Sequence, residues 1–292
     1  MRVAMKKDVF YHLIAIITVF FWGCAGAATK TLLKGMTSIH ILFLKYLIAY
    51  IVFVLLCPKP IKTKSKKEEL LFFLCGFSGM TVCYFFENTA FVYTGSAVVT
   101  VMFNLSPIFV AFFMLLTGKK KVGPLFFIGC AICFFGAWLV AFNGLFIKDA
   151  SIKGVLLALG AGISWAVYVI LAEGLGDGYE LKGKMRRLFF YAVITEIPLV
   201  LFEHKGFSIS FALQPINLLS LIVTGVLIGA LGYLMWNASI DHLGGDKTNL
   251  YIYLLPLFTM LVSAVTIHEK IGILQCIGAV LTIVGVVLSQ RG

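Results

Sequence analysis

The sequence predicts an all-α integral membrane protein of ten transmembrane helices, arranged as two inverted five-helix repeats. Composition is the first reason. Of 292 residues, 61% are hydrophobic and 13% charged, with a mean hydropathy of +1.01, too little polar surface to cover a water-soluble globule. The second reason is duplication. Sliding residues 70–140 over 219–289 without a gap gives 16 identities, among them Gly76 on Gly225, Tyr84 on Tyr233, Asn88 on Asn237, Gly95 on Gly244, Pro107 on Pro256 and Gly123 on Gly272. The third reason is segment length, because a helix needs about 20 apolar residues to cross a bilayer.

Ten such segments can be placed in order. The first, 10–33, follows Lys6 and Lys7 in the manner of a signal peptide. Its apolar run is too long for one, and its Trp22 is matched by Trp165 at an offset of 143, so it is read as a retained helix. The second, 38–57, holds one charge, Lys45. The third, 69–92, carries Tyr84, Glu87 and Asn88 on one face, and the fourth, 95–117, carries Thr100, Asn104 and Pro107. The fifth, 123–145, contains Gly129, Gly136 and a Cys130-x-x-Cys133 pair without a second pair or nearby His, so its thiols are read as packing.

The sixth segment, 152–174, contributes Trp165 and Tyr168, and the seventh, 187–203, is the shortest and includes Glu196. In the eighth, 216–240, Gly225, Gly229 and Gly232 suit close helix contact, while Tyr233, Trp236 and Asn237 rewrite the face of the third. The ninth, 247–267, spaces Asn249, Tyr253 and Pro256 at i, i+4, i+7; the tenth, 271–289, bears Gly278 and Gly285. Five helices per repeat is an odd number. The second copy, 147–292, therefore enters the bilayer from the side opposite to the first, 1–146, the arrangement that supports alternating access.

Charge fixes the orientation. With both termini inside, Lys and Arg number 17 inside and 6 outside, Lys45 being intramembrane, as the positive-inside rule requires. The net charge of +11 is accounted for by this bias and by anionic membrane lipids; no nucleic-acid partner is needed. No HExxH, P-loop, GxSxG or ligand-spaced cluster of His and carboxylates occurs. No enzyme, metal or cofactor is expected.

The polar residues inside the helices carry the chemistry instead. Trp22, Tyr84, Asn88, Asn104, Trp165, Tyr168, Tyr233, Trp236, Asn237 and Tyr253 are the candidate substrate-binding set, an aromatic cavity with a few hydrogen-bonding groups. Pro107 and Pro256 each leave a carbonyl without its helical donor. Singly, each of these residues is as readily a packing or interfacial residue; their recurrence in both copies favours a cavity. Lys45, Glu87 and Glu196 are charges inside the membrane, which face a cavity or each other. Lys45 and Glu196 lie at similar depth and pair if their helices touch. Glu87 shares a face with Tyr84 and Asn88, and a carboxylate partly out of water has its charged form disfavoured. It is the candidate for coupling to protons or for recognising an amine.

The stretch from Leu255-Pro256-Leu257 through His268-Glu269-Lys270-Ile271-Gly272 to Gly278 and Gly285 is similar to the P…E…G…G signature of the EamA group of the drug/metabolite transporter superfamily. The first copy keeps Pro107, Gly123, Gly129 and Gly136 but has Lys120 in place of Glu269. The resemblance covers nearly the whole chain. It implies a secondary transporter that exports or exchanges amino acids or related metabolites across a bacterial-type inner membrane. The solute path would be formed by helices 1, 3, 4, 6, 8 and 9, with 2, 5, 7 and 10 more peripheral. A lipid flippase or scramblase of related fold is the alternative, and a membrane enzyme a more distant one.

Overall fold

The computed structural model describes residues 2–118, 123–142, 151–175, 178–206, 208–266 and 271–291. All regular elements among them are helical. α1 spans Arg2–Leu32, α2 Ser38–Leu56 and α3 Lys66–Tyr93, the last winding as a π-helix over Phe77–Val82. α4 comes in two pieces, Ser96–Phe103 and Ser106–Leu116, followed by α5 (Pro124–Phe142), α6 (Ile152–Leu175) and α7 (Leu181–Phe202). After a short turn of helix, Ile209–Ala212, α8 runs Pro215–Leu243 with a π segment at Val223–Leu231. α9 begins as Gly245–Asn249, tightens to a 3₁₀-helix over Leu250–Leu254 and continues as Leu255–Thr266; α10 is Ile273–Ser289.

Seven of these helices, α1 to α6 and α8, are long and apolar enough to cross a membrane. The expected ten segments differ from that number at α7, α9 and α10. α7 begins six residues earlier than hydropathy suggests, at Leu181 instead of 187, and so takes Lys182, Lys184 and Arg186 into the helix. α9 is interrupted by its 3₁₀ turn, and α10 has 17 residues. The signature residues His268, Glu269 and Lys270, together with Lys120, fall outside the described residues.

The irregular segments recur with the repeat. At the offset of 149, Phe77 and Val82 fall on Val226 and Leu231, inside the second π segment. The break at Asn104 and Leu105 falls on Tyr253 and Leu254, inside the 3₁₀ turn. Both breaks immediately precede the paired prolines, whose missing N–H and fixed φ suit the first turn of a helix better than its interior.

Packing repeats as well. α1 lies against α8 and α9 as α6 lies against α3 and α4, and α2 meets α8 as α7 meets α3. α5 pairs with α10, and α2 with α7. Glycines make the closest of these approaches. A Cβ on Gly76 would stand 2.7 Å from the Leu188 carbonyl oxygen of α7, and one on its counterpart Gly225 2.6 Å from Ile48 of α2. Where α5 crosses α10, a Cβ on Gly136 or on Gly278 would come within 2.6 Å of the other residue's carbonyl oxygen. Small residues let helix backbones touch in this way. Cys130 and Cys133 are buried on the same face of α5.

Candidate functional site

At the centre of the bundle, rings from both copies close on one another. Trp22 of α1 lies 5.5 Å from Trp165 of α6, edge to face, and 5.0 Å from Trp236 and 5.6 Å from Tyr233 of α8. Trp165 also stands 5.0 Å from Tyr168 and 6.0 Å from Trp236. Phe189 of α7 and Tyr46 of α2 extend the cluster, at 5.5 Å between Phe189 and Tyr233 and 5.8 Å between Tyr46 and Phe189. Trp165, Tyr168, Tyr233 and Trp236 are buried in mutual contact, so the aromatic centre is packed shut. An open hollow of about 400 Å³ between α3 and α6, lined by Phe86, Ile152, Lys153, Leu156, Leu157 and Gly160, lies elsewhere.

Polar atoms thread this cluster. The Trp165 indole N–H donates to Asn249 Oδ1 at 2.8 Å, and Asn249 in turn donates to Ser106 Oγ at 3.3 Å. Asn237 Nδ2 donates to the Tyr168 hydroxyl at 2.6 Å and to the Tyr233 carbonyl at 2.8 Å. Trp22 Nε1 reaches the carbonyl of Ile228, in the π segment of α8, at 3.3 Å. Among the described residues, the Asn104 amide, the Trp236 indole N–H and Asn237 Oδ1 have no hydrogen-bond partner. Buried polar groups are normally satisfied; these three are exceptions at the edge of the rings.

Beside the rings lies a second group of side chains, between α2, α3, α7 and α8. Lys45 is buried, its Nζ 4.8 Å from the Tyr84 ring centroid and 5.5 Å from that of Tyr46. It faces Glu87 within electrostatic reach. The two make no direct ion pair. The Tyr233 hydroxyl donates to that of Tyr84 at 3.4 Å, tying the two repeat-related tyrosines together. Glu196 is enclosed near Thr81 and Tyr46. The sequence left a Lys45–Glu196 pair open; the counter-charge that faces Lys45 is Glu87.

At the opposite end of α7, basic residues are held in place. Lys184, which precedes the expected seventh segment, is fully buried and bridges to Asp241 of α8 at 2.6 Å. Arg187 pairs with Glu69 at 2.6 Å, and Arg186 donates to the carbonyls of Cys57 and Pro58 at 2.8 and 2.6 Å. These partners explain why α7 starts early.

The predicted set is therefore partly assembled. Trp22, Tyr84, Trp165, Tyr168, Tyr233, Trp236 and Asn237 converge. Asn88 is half-buried and makes no hydrogen bond among the described residues, unlike its counterpart Asn237. Tyr253 does not share a face with Asn249, because the 3₁₀ turn between them changes the angular spacing; Tyr253 turns towards Cys130 of α5 while Asn249 meets Trp165. Asn104 sits at the break in α4, next to Phe103, whose ring is 6.1 Å from Trp165. Lys45 and Glu196, on helices expected to be peripheral, are buried beside the aromatic centre. Tyr46 and Phe189 were not anticipated.

The EamA-like transporter family profile matches this chain twice, over residues 9–142 and 152–290. An uncharacterized transporter of Archaeoglobus fulgidus is 26% identical over 95% of this chain and 96% of its own length. The uncharacterized transporter YyaM of Bacillus subtilis is 30% identical over 78% of this chain and 75% of its own. A probable terminal-alkyne amino-acid exporter of Streptantibioticus cattleyicolor is 21% identical over 94% and 92%. One solved crystal structure superposes with a TM-score of 0.76 over 96% of both chains at 15% identity, a likeness of fold alone. With seven helices apolar enough to span a bilayer and the family profile covering both halves, this is an integral membrane protein, and the chain belongs to the EamA-like transporter family.

Proposed function

We propose that the protein is a secondary transporter of small amphipathic metabolites, most readily amino acids or related compounds, working by alternating access as an exporter or exchanger. The observation that carries this reading is the aromatic centre drawn from α1, α6 and α8, with unpartnered polar atoms at its edge. Ten spans in two inverted repeats are supported by the recurring π segments, breaks and helix contacts of the two halves. Since the rings are in mutual contact, a solute reaches them when the halves part on one side or the other. Lys45 and Glu87, opposite charges facing each other beside the rings, match the carboxylate and the amine of an amino acid and so support the amine-recognising role of Glu87. The named amino-acid exporter among the relatives points the same way.

Proteoliposomes offered labelled amino acids, sugar phosphates and a labelled phospholipid test the solute class. Saturable amino-acid uptake is expected. Movement of the phospholipid alone would favour the flippase reading. Tyr84→Ala, at a half-buried position, and Trp165→Phe, which keeps a ring but loses the bond to Asn249, should each cut uptake roughly fivefold or more, the equivalent of about 1 kcal/mol. Thermal stability and uptake falling together would mark both residues as packing only.

Sidedness follows from the charge count. A cysteine replacing exposed Lys64 should label only from the cytoplasm, and one replacing exposed His204 only from outside. Labelling of both from one side would end the inverted arrangement, since five crossings, an odd number, separate Lys64 from His204 along the chain in the ten-span reading.

A further inference from the structure

Glu196 is a buried acid that the aromatic site leaves unused. It stands on α7 with none of its surface exposed, and no ion pair reaches it among the described residues. The cation in this region, Lys45, is engaged electrostatically with Glu87. Facing Glu196 are the Thr81 hydroxyl on α3 and the Tyr46 phenol on α2. Tyr46 is close in turn to Tyr84 and Tyr233. From α7 itself come Thr195, which shares a 2.6 Å hydrogen bond with Thr81 and donates to the Tyr191 carbonyl at 2.7 Å.

An enclosed carboxylate without a counter-ion is costly, and binding one proton removes the cost. A metal cation is a poor alternative occupant. Hard divalent cations take about six oxygens or more, and the oxygens facing the Glu196 carboxylate are those of the Thr81 hydroxyl and the Tyr46 phenol. Thr81 also belongs to the π segment Phe77–Val82, whose counterpart recurs in α8. π-turns break the regular hydrogen-bond ladder and cluster at functional sites, so the wall next to Glu196 is where α3 is least regular.

We propose that Glu196 is the proton-binding site of the transport cycle, loaded while sealed between α2, α3 and α7 and discharged when movement of α3 against α7 admits water. The only bond that forms and breaks is the carboxyl O–H, its proton taken from bulk water on one side and returned to the other. This rests on the transporter reading but can be tested apart from it.

Infrared spectroscopy of the purified protein reads the carbonyl stretch of a protonated carboxylic acid without any solute. That band should be present in the wild type at neutral pH, lost in Glu196→Gln and kept in Glu87→Gln. If Glu196→Gln fails to fold, Glu196→Asp should move the band. A wild type without the band, or a band unchanged by both Glu196 variants, overturns the proposal. In proteoliposomes, accumulation driven by a pH gradient should be lost in Glu196→Gln while solute counterflow without a gradient continues. Accumulation that persists in Glu196→Gln, or that needs a sodium gradient in place of the pH gradient, also overturns it. A wild type that moves no solute, yet shows the band and its loss, would instead count against the solute class proposed above.

Discussion

Gly136→Leu or Gly278→Leu is expected to abolish recovery of folded, monodisperse protein. The clash at these positions is with backbone: a Cβ at either would sit 2.6 Å from the opposing carbonyl oxygen, and for Gly136 equally close to the Thr282 amide nitrogen. Main-chain atoms of two packed helices cannot rotate aside as a side chain can. Even Gly136→Ala should lower stability by roughly 1–3 kcal/mol, the usual range for overpacking. Because the same contact is made from both sides, Gly278→Ala should match it closely. Gly206→Ala is the control, with nothing within 4 Å of its added Cβ, and should leave the unfolding temperature in detergent unchanged. Equal tolerance of alanine at Gly136 and Gly206 would sink the idea that α5 and α10 are held at backbone contact.

Those glycines were readable in advance because the repeat displays them twice, and the same holds for much of the site. Tyr84 with Tyr233 and Trp22 with Trp165 were found by sliding one half over the other, and all four rings meet. The offset of 143 that joins the tryptophans also carries Tyr46 onto Phe189 and Ala49 onto Ala192, so a signal for the missed aromatic pair existed in the second helix. Other features had no local signal. Hydropathy stops at 187 because Lys182, Lys184 and Arg186 precede it, yet α7 continues through them on the strength of Asp241, Glu69 and two carbonyls that lie far away in sequence. Lys184, Leu188, Ala192 and Glu196 nonetheless repeat every fourth residue and are all buried, a helical stripe that polar identity concealed. Depth offered Glu196 as the partner of Lys45, whereas the carboxylate that faces Lys45 in the structure is Glu87.

Glu87→Gln should therefore weaken an amine-bearing solute far more than it disturbs the fold. The substitution keeps the shape of a half-buried side chain and removes the charge that Lys45 faces. A charge-assisted hydrogen bond to an ammonium contributes roughly 1.5–3 kcal/mol, so half-saturation should rise about 10–100-fold. The loss should be selective: a carboxylic acid lacking the amine, transported or competing, should be affected little or bind better, since Lys45 is then freed from its opposing charge. Lys45→Met should do the converse, weakening carboxylate-bearing solutes while sparing amines. Drive by a pH gradient should survive Glu87→Gln, because the proton is assigned to Glu196. A Glu87→Gln protein that keeps wild-type half-saturation but no longer responds to the pH gradient would reverse the assignment, making Glu87 the coupling acid and leaving the amine to another group.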